Sequence, residues 1–188
     1  PDGITQLTYQ SVHRRLELAK RAGANAVVFE IDSPGGELGA VLGICNEIKA
    51  LPIKNTVAWI HHNAYSGGAI IAMACREIVV ADPATLGDAI PIAIDQRTGQ
   101  IRPLPETERQ KLMAPLIAEL VDSARRNSYD EMLVQGIASR GVELWRIRNN
   151  QSGQQLFITR AEYRTVFGED PPEGMVPTLA AAAPSAAG

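Results

Sequence analysis

Two short apolar runs, AVVFEI at 26–31 and TVAWIHH at 56–62, lie between segments of helical spacing, and each leads into a glycine pair. Runs of that length suit strands buried on both faces of a parallel sheet. The segment before the first run, 8–22, carries apolar residues at helical spacing and stops at Gly23. A second helix is predicted from Leu38 to Ala50, with Pro52 ahead of the second strand. Beyond Ser66-Gly67-Gly68, AIIAMA (69–74) reads as a small-residue helix and EIVVA (77–81) as a third strand. Strands and helices that alternate in this way predict an α/β fold with right-handed crossovers.

The second half of the chain is less regular. Prolines at 83, 91, 103 and 105 mark 82–104 as loop-rich. A long helical region follows from Glu106 to Arg126, which Pro115 is expected to kink or split. Tyr129 to Ile137 reads as a short helix. VELWRIR (142–148) and QLFIT, joined through Asn149 to Gln154, read as a β-hairpin. Thr159 and Glu162 have the spacing of a capping box for a last helix. After Gly168 the chain is rich in Pro and Ala, the composition of a flexible linker. The expected organisation is a core over 1–141, a hairpin and helix extension over 142–168 and a tail over 169–188. The chain starts at Pro1 and not at Met, which reads as a processed or truncated product.

Charge and cysteine usage narrow the function. The formal net charge is −3 and no Lys/Arg run occurs, so neither nucleic acid nor a membrane-surface patch is expected as a partner. Cys45 and Cys75 form no CxxC pair and the three histidines have no zinc spacing, so no metal is expected and both thiols read as small buried side chains. No stretch reaches the ~18 apolar residues of a membrane span, and no signal peptide is visible.

The two glycine pairs carry the chemistry. Ligands of parallel α/β sheets bind outside the carboxyl ends of strands, so Gly35-Gly36 and Gly67-Gly68 are expected on one edge. Side by side, such loops can aim backbone N–H groups at a single oxygen, the geometry of an oxyanion hole. Ser66, between strand and glycine, suits an N-cap and a nucleophile alike. His13, His61 and His62 all precede it, and His61 and His62 close the second strand. Lys111 is the one lysine that follows Ser66. It reads either as a solvated side chain or as a base, with Arg109 nearby to lower its proton affinity.

The segments 27–51 (VVFEIDSPGGELGAVLGICNEIKAL) and 64–92 (AYSGGAIIAMACREIVVADPATLGDAIPI) resemble the two signature segments of the Clp/crotonase-fold serine peptidases. Within that superfamily, which includes the Clp proteolytic subunit and signal peptide peptidase A, the pattern is most similar to the NfeD-type membrane-bound serine proteases. The resemblance spans about residues 8–137. It implies a ClpP/crotonase-like fold, a parallel sheet of ββα-type spiral repeats with flanking helices. It also implies a serine endopeptidase with a Ser-Lys dyad: Ser66 as nucleophile, Lys111 as base, and Gly35, Gly36 and Gly67 at the oxyanion hole. Pro34, His62 and Tyr65 become candidates for the substrate groove. No cofactor is implied. The implied partners are a peptide or membrane-protein substrate, with cleavage in apolar segments, and further copies in a homo-oligomer, a dimer or larger. The implied setting is a membrane-anchored protein whose protease domain lies outside the cytoplasm. The Clp subunit itself uses a downstream histidine, and the corresponding stretch, Asp88 to Asp95, has none. Asp88 also stands where the family pattern has a small residue. Two other readings stay open: a crotonase-like acyl-CoA enzyme with Glu37 or Asp88 as carboxylate, and a non-catalytic peptide-binding or assembly module.

Overall fold

The computed structural model describes residues 3–94, 97, 98, 100–102, 104–139, 141–148, 152–172, 179 and 180. Helix α1 (Gln6–Arg21) leads to strand β1 (Ala26–Ser33), then α2 (Leu38–Ala50), β2 (Asn55–Tyr65), α3 (Gly67–Ala74) and β3 (Glu77–Val80). These elements match the predicted order. β1, β2 and β3 form a parallel sheet with β2 in the middle, and β4 (Thr85–Gly87) pairs in parallel with the far end of β2.

α3 explains why the domain holds together. All eight of its residues, GGAIIAMA, are buried. A helix that is apolar all round belongs inside a core. It lies beneath β1 and β2, against Ile31, Ala58 and Ile60, with Val41, Ile44 and Cys45 of α2 packed on its other side. Each large apolar side chain buried here contributes about 1.5–3 kcal/mol. The last carbonyls of α3 have no intrahelical donor, and a neighbouring segment supplies one to each of two. Asn127 donates to Met73 O at 3.0 Å and Tyr129 to Cys75 O at 2.9 Å.

Burial of the parallel strands differs from the sequence expectation. Ile31, Ala58 and Ile60 are buried, but the side chains between them are not, and Val28 and Val79 are 61% and 49% exposed. Helices α1 and α2 stack outward from α3 and do not return to the second face. The sheet is therefore covered on one side only among the described residues. A register shift adds local irregularity: Ile31 pairs with Ile60, yet Ser33 pairs with Ala64, so β2 bulges at His61, His62 and Asn63.

The region read as loop holds β4 and a two-stranded antiparallel pair, β5 (Ala93–Ile94) and β6 (Ile101–Arg102). Helix α4 (Glu106–Asn127) then runs through Pro115 without splitting. Pro115 is exposed, so its ring meets solvent, and the helix forgoes only the bond that residue 115 would donate to the Lys111 carbonyl. α5 (Glu131–Gly136) starts with Asp130 as N-cap, its carboxylate accepting from Leu133 N at 3.0 Å. The hairpin of β7 (Glu143–Arg148) and β8 (Gln155–Thr159) forms as predicted and carries α6 (Arg160–Phe167), which opens on the Thr159–Glu162 capping box. Trp145, Ile158 and Tyr163 make a small core of their own. β9 (Leu179–Ala180) pairs with β7, inside the stretch read as a tail; 173–178 and 181–188 of that stretch lie outside the described residues.

Candidate active site

The first constraint on the site is Ile4. Its N–H donates to Gly35 O at 2.7 Å and its carbonyl accepts from Glu37 N at 2.8 Å, an isolated parallel bridge to Gly36. Since the groups flanking Gly36 turn toward Ile4, the N–H and C=O of Gly36 itself face the other way. That way lies Ser66-Gly67. A Cβ on Gly67 would sit 3.4 Å from Gly36 N, and one on Gly35 would sit 3.1 Å from Gly67 N and 2.9 Å from Ser66 Oγ. The two glycine loops meet around the serine.

None of these three glycines has room for a side chain. A Cβ on Gly35 would come within 2.5 Å of Ser66 Cβ, on Gly36 within 2.1 Å of Ile4 O, and on Gly67 within 2.4 Å of Val41 Cγ2. Gly35 also holds φ at 103°, a conformation that costs little only for glycine.

Ser66 sits at the N-cap position of α3 with φ 49° and ψ −117°, and its hydroxyl makes no capping hydrogen bond to the helix. A non-glycine residue in so sparsely populated a region costs of order 1–3 kcal/mol and persists only where the surroundings hold it. Here Ser66 N donates to Gly87 O at 3.2 Å and Asp88 O at 3.0 Å, while Ser66 O accepts from Ile70 N at 3.2 Å. The backbone is fixed on both sides, and the half-buried hydroxyl stands at the helix N-terminus, where the dipole favours negative charge. Of the two local readings of Ser66, the side-chain cap is the one this geometry removes.

Beside Ser66 opens a cleft of about 210 Å³, lined by Gly36, Glu37 and Gly67 and by apolar side chains, chiefly Leu38, Val41, Ile70, Ile92, Leu112 and Leu116. Ala89 and Pro91 complete the lining. α4 thus supplies one wall, with Leu112 and Leu116 one turn apart on the same face. Lys111 is the residue before Leu112, is exposed and does not line the cleft. Arg109 is paired with Glu106.

The three groove candidates also fall outside the cleft lining. Pro34 is exposed. The Tyr65 hydroxyl accepts from Thr85 Oγ1 at 2.8 Å, and His62 is drawn by the bulge of β2 to Asp32, Nδ1 to Oδ2 at 3.3 Å. The apolar lining itself was missed. The 38/41 and 112/116 spacings were visible as helix stripes, but nothing local says that stripes so far apart in sequence share a cavity.

α4 is held against α2 by an ionic cluster in which Lys49 and Glu119 are nearly buried and Asp122 is half-exposed. Lys49 Nζ lies 2.7 Å from Glu119 Oε2 and 2.7 Å from Asp122 Oδ2, and Ser123 Oγ donates to Glu119 Oε1 at 2.9 Å. Burial works against the Lys49 ammonium, but the hydrogen bonds it donates to Asp122 and Glu119, with the attraction of those carboxylates, outweigh it, and its pKa lies above the ordinary lysine value. The same contact holds the Asp122 carboxyl below its ordinary value. Burial pushes the Cys45 thiol well up and the Cys75 thiol up to about 12, so neither is a nucleophile at neutral pH. Among the described residues no group of three or more His, Cys, Asp and Glu is placed to hold a metal ion, and no helix is long and apolar enough to cross a membrane.

Comparison with known proteins bears on the same region. The family model described as NfeD1b, N-terminal domain, matches residues 2–171. The membrane-bound protease PH1510 of Pyrococcus horikoshii is 28% identical over 127 residues, 66% of this chain and 29% of its own length. The membrane protein NfeD1b of Bacillus subtilis is 28% identical over 130 residues, 69% of this chain and 28% of its own length. The chain therefore spans less than a third of either relative. Among solved structures, a mutant of the 1510-N membrane-bound stomatin-specific protease in complex with a substrate peptide superposes with a TM-score of 0.64 at 22% identity, covering 87% of this chain and 67% of that one. A second mutant of the same protease gives 0.63 at 22% identity, covering 87% and 71%. The first carries alanine in place of a lysine, and the second in place of a serine that precedes that lysine.

Proposed function

The chain belongs to the NfeD1b N-terminal domain family, and from that premise we propose that it is a serine endopeptidase domain of the ClpP/crotonase-like fold, acting through Ser66 and Lys111. The carrying observation is Ser66: a strained N-cap residue with an uncommitted hydroxyl, beside two backbone amides and an apolar cleft. A hydroxyl is a poor nucleophile without a base, and the serine and lysine replaced in the 1510-N mutants stand in the same order along their chain as Ser66 and Lys111 do here.

In this reading, neutral Lys111 takes the Ser66 proton as Oγ attacks the peptide carbonyl. The oxyanion is held by the Gly36 and Gly67 amides, with Gly35 making the turn that lets them converge. Lys111 then protonates the leaving amine, and water hydrolyses the acyl-enzyme by the same route. The peptide strand lies along the Gly36 side of the loop, since Ile4 already occupies the other side. The cleft takes an apolar side chain next to the scissile bond. Lys111 reaches Ser66 when the first turns of α4 close over a bound peptide, and Pro115 leaves the Lys111 carbonyl without its helical donor at the point where they would bend. The full-length protein is membrane-anchored, its protease domain outside the cytoplasm, and cleaves apolar segments of membrane-associated proteins as a homo-oligomer. Residues 1–141 form the catalytic core and 142–168 an extension.

The exposure of Lys111 favours one second reading, a peptide-binding module without turnover. A fluorophosphonate probe applied across neutral to alkaline pH, with adducts located by mass spectrometry, separates the two. The peptidase reading expects labelling at Ser66 that rises with pH, disappears in Ser66→Ala and falls in Lys111→Ala. Peptide binding with no labelling of any variant would leave the binding module.

A further inference from the structure

Glu37 is the one residue that carries charge among the described residues lining the cleft beside Ser66. Its backbone is accounted for: Glu37 N donates to Ile4 O at 2.8 Å, and Glu37 O accepts from Val41 N at 3.0 Å, the first bond of α2. Its side chain is not. Glu37 stands at the N-cap of α2, where Ser, Thr, Asp or Asn ordinarily folds back on the helix amides, yet it makes no capping bond. The carboxylates at the starts of α5 and α6 behave otherwise. Asp130 accepts from Leu133 N at 3.0 Å, and Glu162 accepts from Thr159 N at 2.8 Å. The Glu37 carboxylate is exposed, and among the described residues no donor and no cation meets it. The rest of the lining is glycine, serine and apolar side chains. Walls of that kind concentrate the field of a single charge.

We propose that Glu37 selects the substrate: the site takes peptides in which an apolar residue seated in the cleft has a lysine or arginine two residues away. The proposal rests on the peptidase reading of the cleft. Its spacing follows from the pleat of the bound strand. A peptide extended along Gly36 turns successive side chains to opposite faces, and residues two apart return to the same face roughly 6.6 Å on. Glu37 follows Gly36 and lines the same cleft that receives the apolar side chain, so the next substrate side chain it meets belongs to that face. A lysine or arginine there lays its methylene stem on the apolar rim and carries its charge to the carboxylate. An acidic residue at that position meets a like charge. The positive end of the α2 dipole favours the Glu37 carboxylate where it stands but leaves its oxygens open to a ligand.

A matched set of peptides tests it, each with the same apolar residue and with Lys, Gln or Glu placed one or two residues to either side. The readout is the ratio of kcat/KM for the Lys peptide to that for the Gln peptide. In the wild type the ratio should reach about fivefold at a two-residue spacing, the upper end for an exposed ion pair, and should shrink as salt is added. Glu37→Gln should bring the ratio to one, and Glu37→Lys should turn the preference to the Glu peptide. Circular dichroism melts check that both variants fold. The same peptides are titrated by fluorescence anisotropy against Ser66→Ala, with and without Glu37→Lys. If no peptide is cleaved, the peptidase reading fails, while the charge preference is still read from these binding curves. A ratio of one in the wild type overturns the proposal. So does a preference that Glu37→Lys leaves unchanged, or one that peaks at the adjacent positions. Variants that lower the melting temperature without moving the ratio would make Glu37 a partner of the α2 dipole alone, and overturn it too.

Discussion

The two walls of the cleft beside Ser66 are made differently. On the glycine wall, a single added carbon on Gly35, Gly36 or Gly67 would lie 2.1–2.5 Å from an atom of another residue, and behind it every residue of α3 is buried. On the α4 wall, none of the residues from Glu106 to Pro115 is buried, whereas Leu116, Glu119, Leu120, Ser123 and Ala124 all are. The change occurs at Pro115. One wall is fixed by close backbone contact. The other is fixed only from its middle onward, where Lys49 grips Glu119 and Asp122. An oxyanion site needs donors held in place before the substrate arrives, whereas a wall that admits a peptide needs room to open.

The largest expected effect comes from releasing the fixed half of the α4 wall. Lys49→Met leaves the Glu119 carboxylate, only 7% exposed, without its cation. Breaking a buried pair in this way costs about 3–5 kcal/mol, which denaturant unfolding would read, and Glu119→Gln in the same chain should recover much of it. The pH course follows from the same contact. Asp122 titrates below its usual value, so its contribution is present above the unfolded carboxylate pKa near ~3.9 and is lost as pH falls through the lower folded value. Lys49 titrates above its usual value, so its contribution holds below the ordinary lysine range and is lost as pH rises through the folded pKa. The cluster therefore weakens in strong acid and strong base and holds between. If Lys49→Met melts like the wild type, the contrast between the halves of α4 has another origin.

Next in size is the glycine wall. Gly36→Ala must push Ile4 aside; in the peptidase reading this displaces one oxyanion donor, and a lost donor slows acylation by roughly 10²–10³. The rate of fluorophosphonate labelling at Ser66 measures this directly. Unaltered labelling would mean that the Gly36 amide does not face the reacting oxygen.

The smallest effect is expected at the joint. Pro115→Ala restores a donor to the Lys111 carbonyl and should raise stability by some fraction of the ~3 kcal/mol that proline costs in a helix interior. In the peptidase reading it should also slow peptide turnover more than labelling by a small probe, because only the peptide needs the wall to open. Equal effects on both would show that the wall does not move.

How far the sequence reveals this depends on how local each signal is. β1, α2, β2 and α3 could be placed because short apolar runs and glycine stops are written into consecutive residues. β4, β5 and β6 could not, since strands of two or three residues in a proline-rich stretch carry no periodicity. Pro115 was read as a kink or break because the rule concerns the lost hydrogen bond; that its ring faces solvent is decided by the surrounding chain. The grip of Lys49 on Glu119 joins residues 70 positions apart, and neither one announces the other. In the site, the glycine pairs and Ser66 could be singled out because backbone geometry is tied to residue type. The Leu112 and Leu116 wall could not, and the bulge that carries His62 away to Asp32 depends on a register set by another strand.

Burial of α3 along its whole length has a consequence for how this domain fails. A helix with no solvent-facing side cannot fray or detach without opening the entire core, so its amides should exchange with water only through global unfolding. The backbone of Ser66 is continuous with that helix. Its geometry is therefore an all-or-none property of the fold: heat or denaturant should lower the number of competent molecules while leaving each survivor fully set, with no population of intact but slackened sites in between.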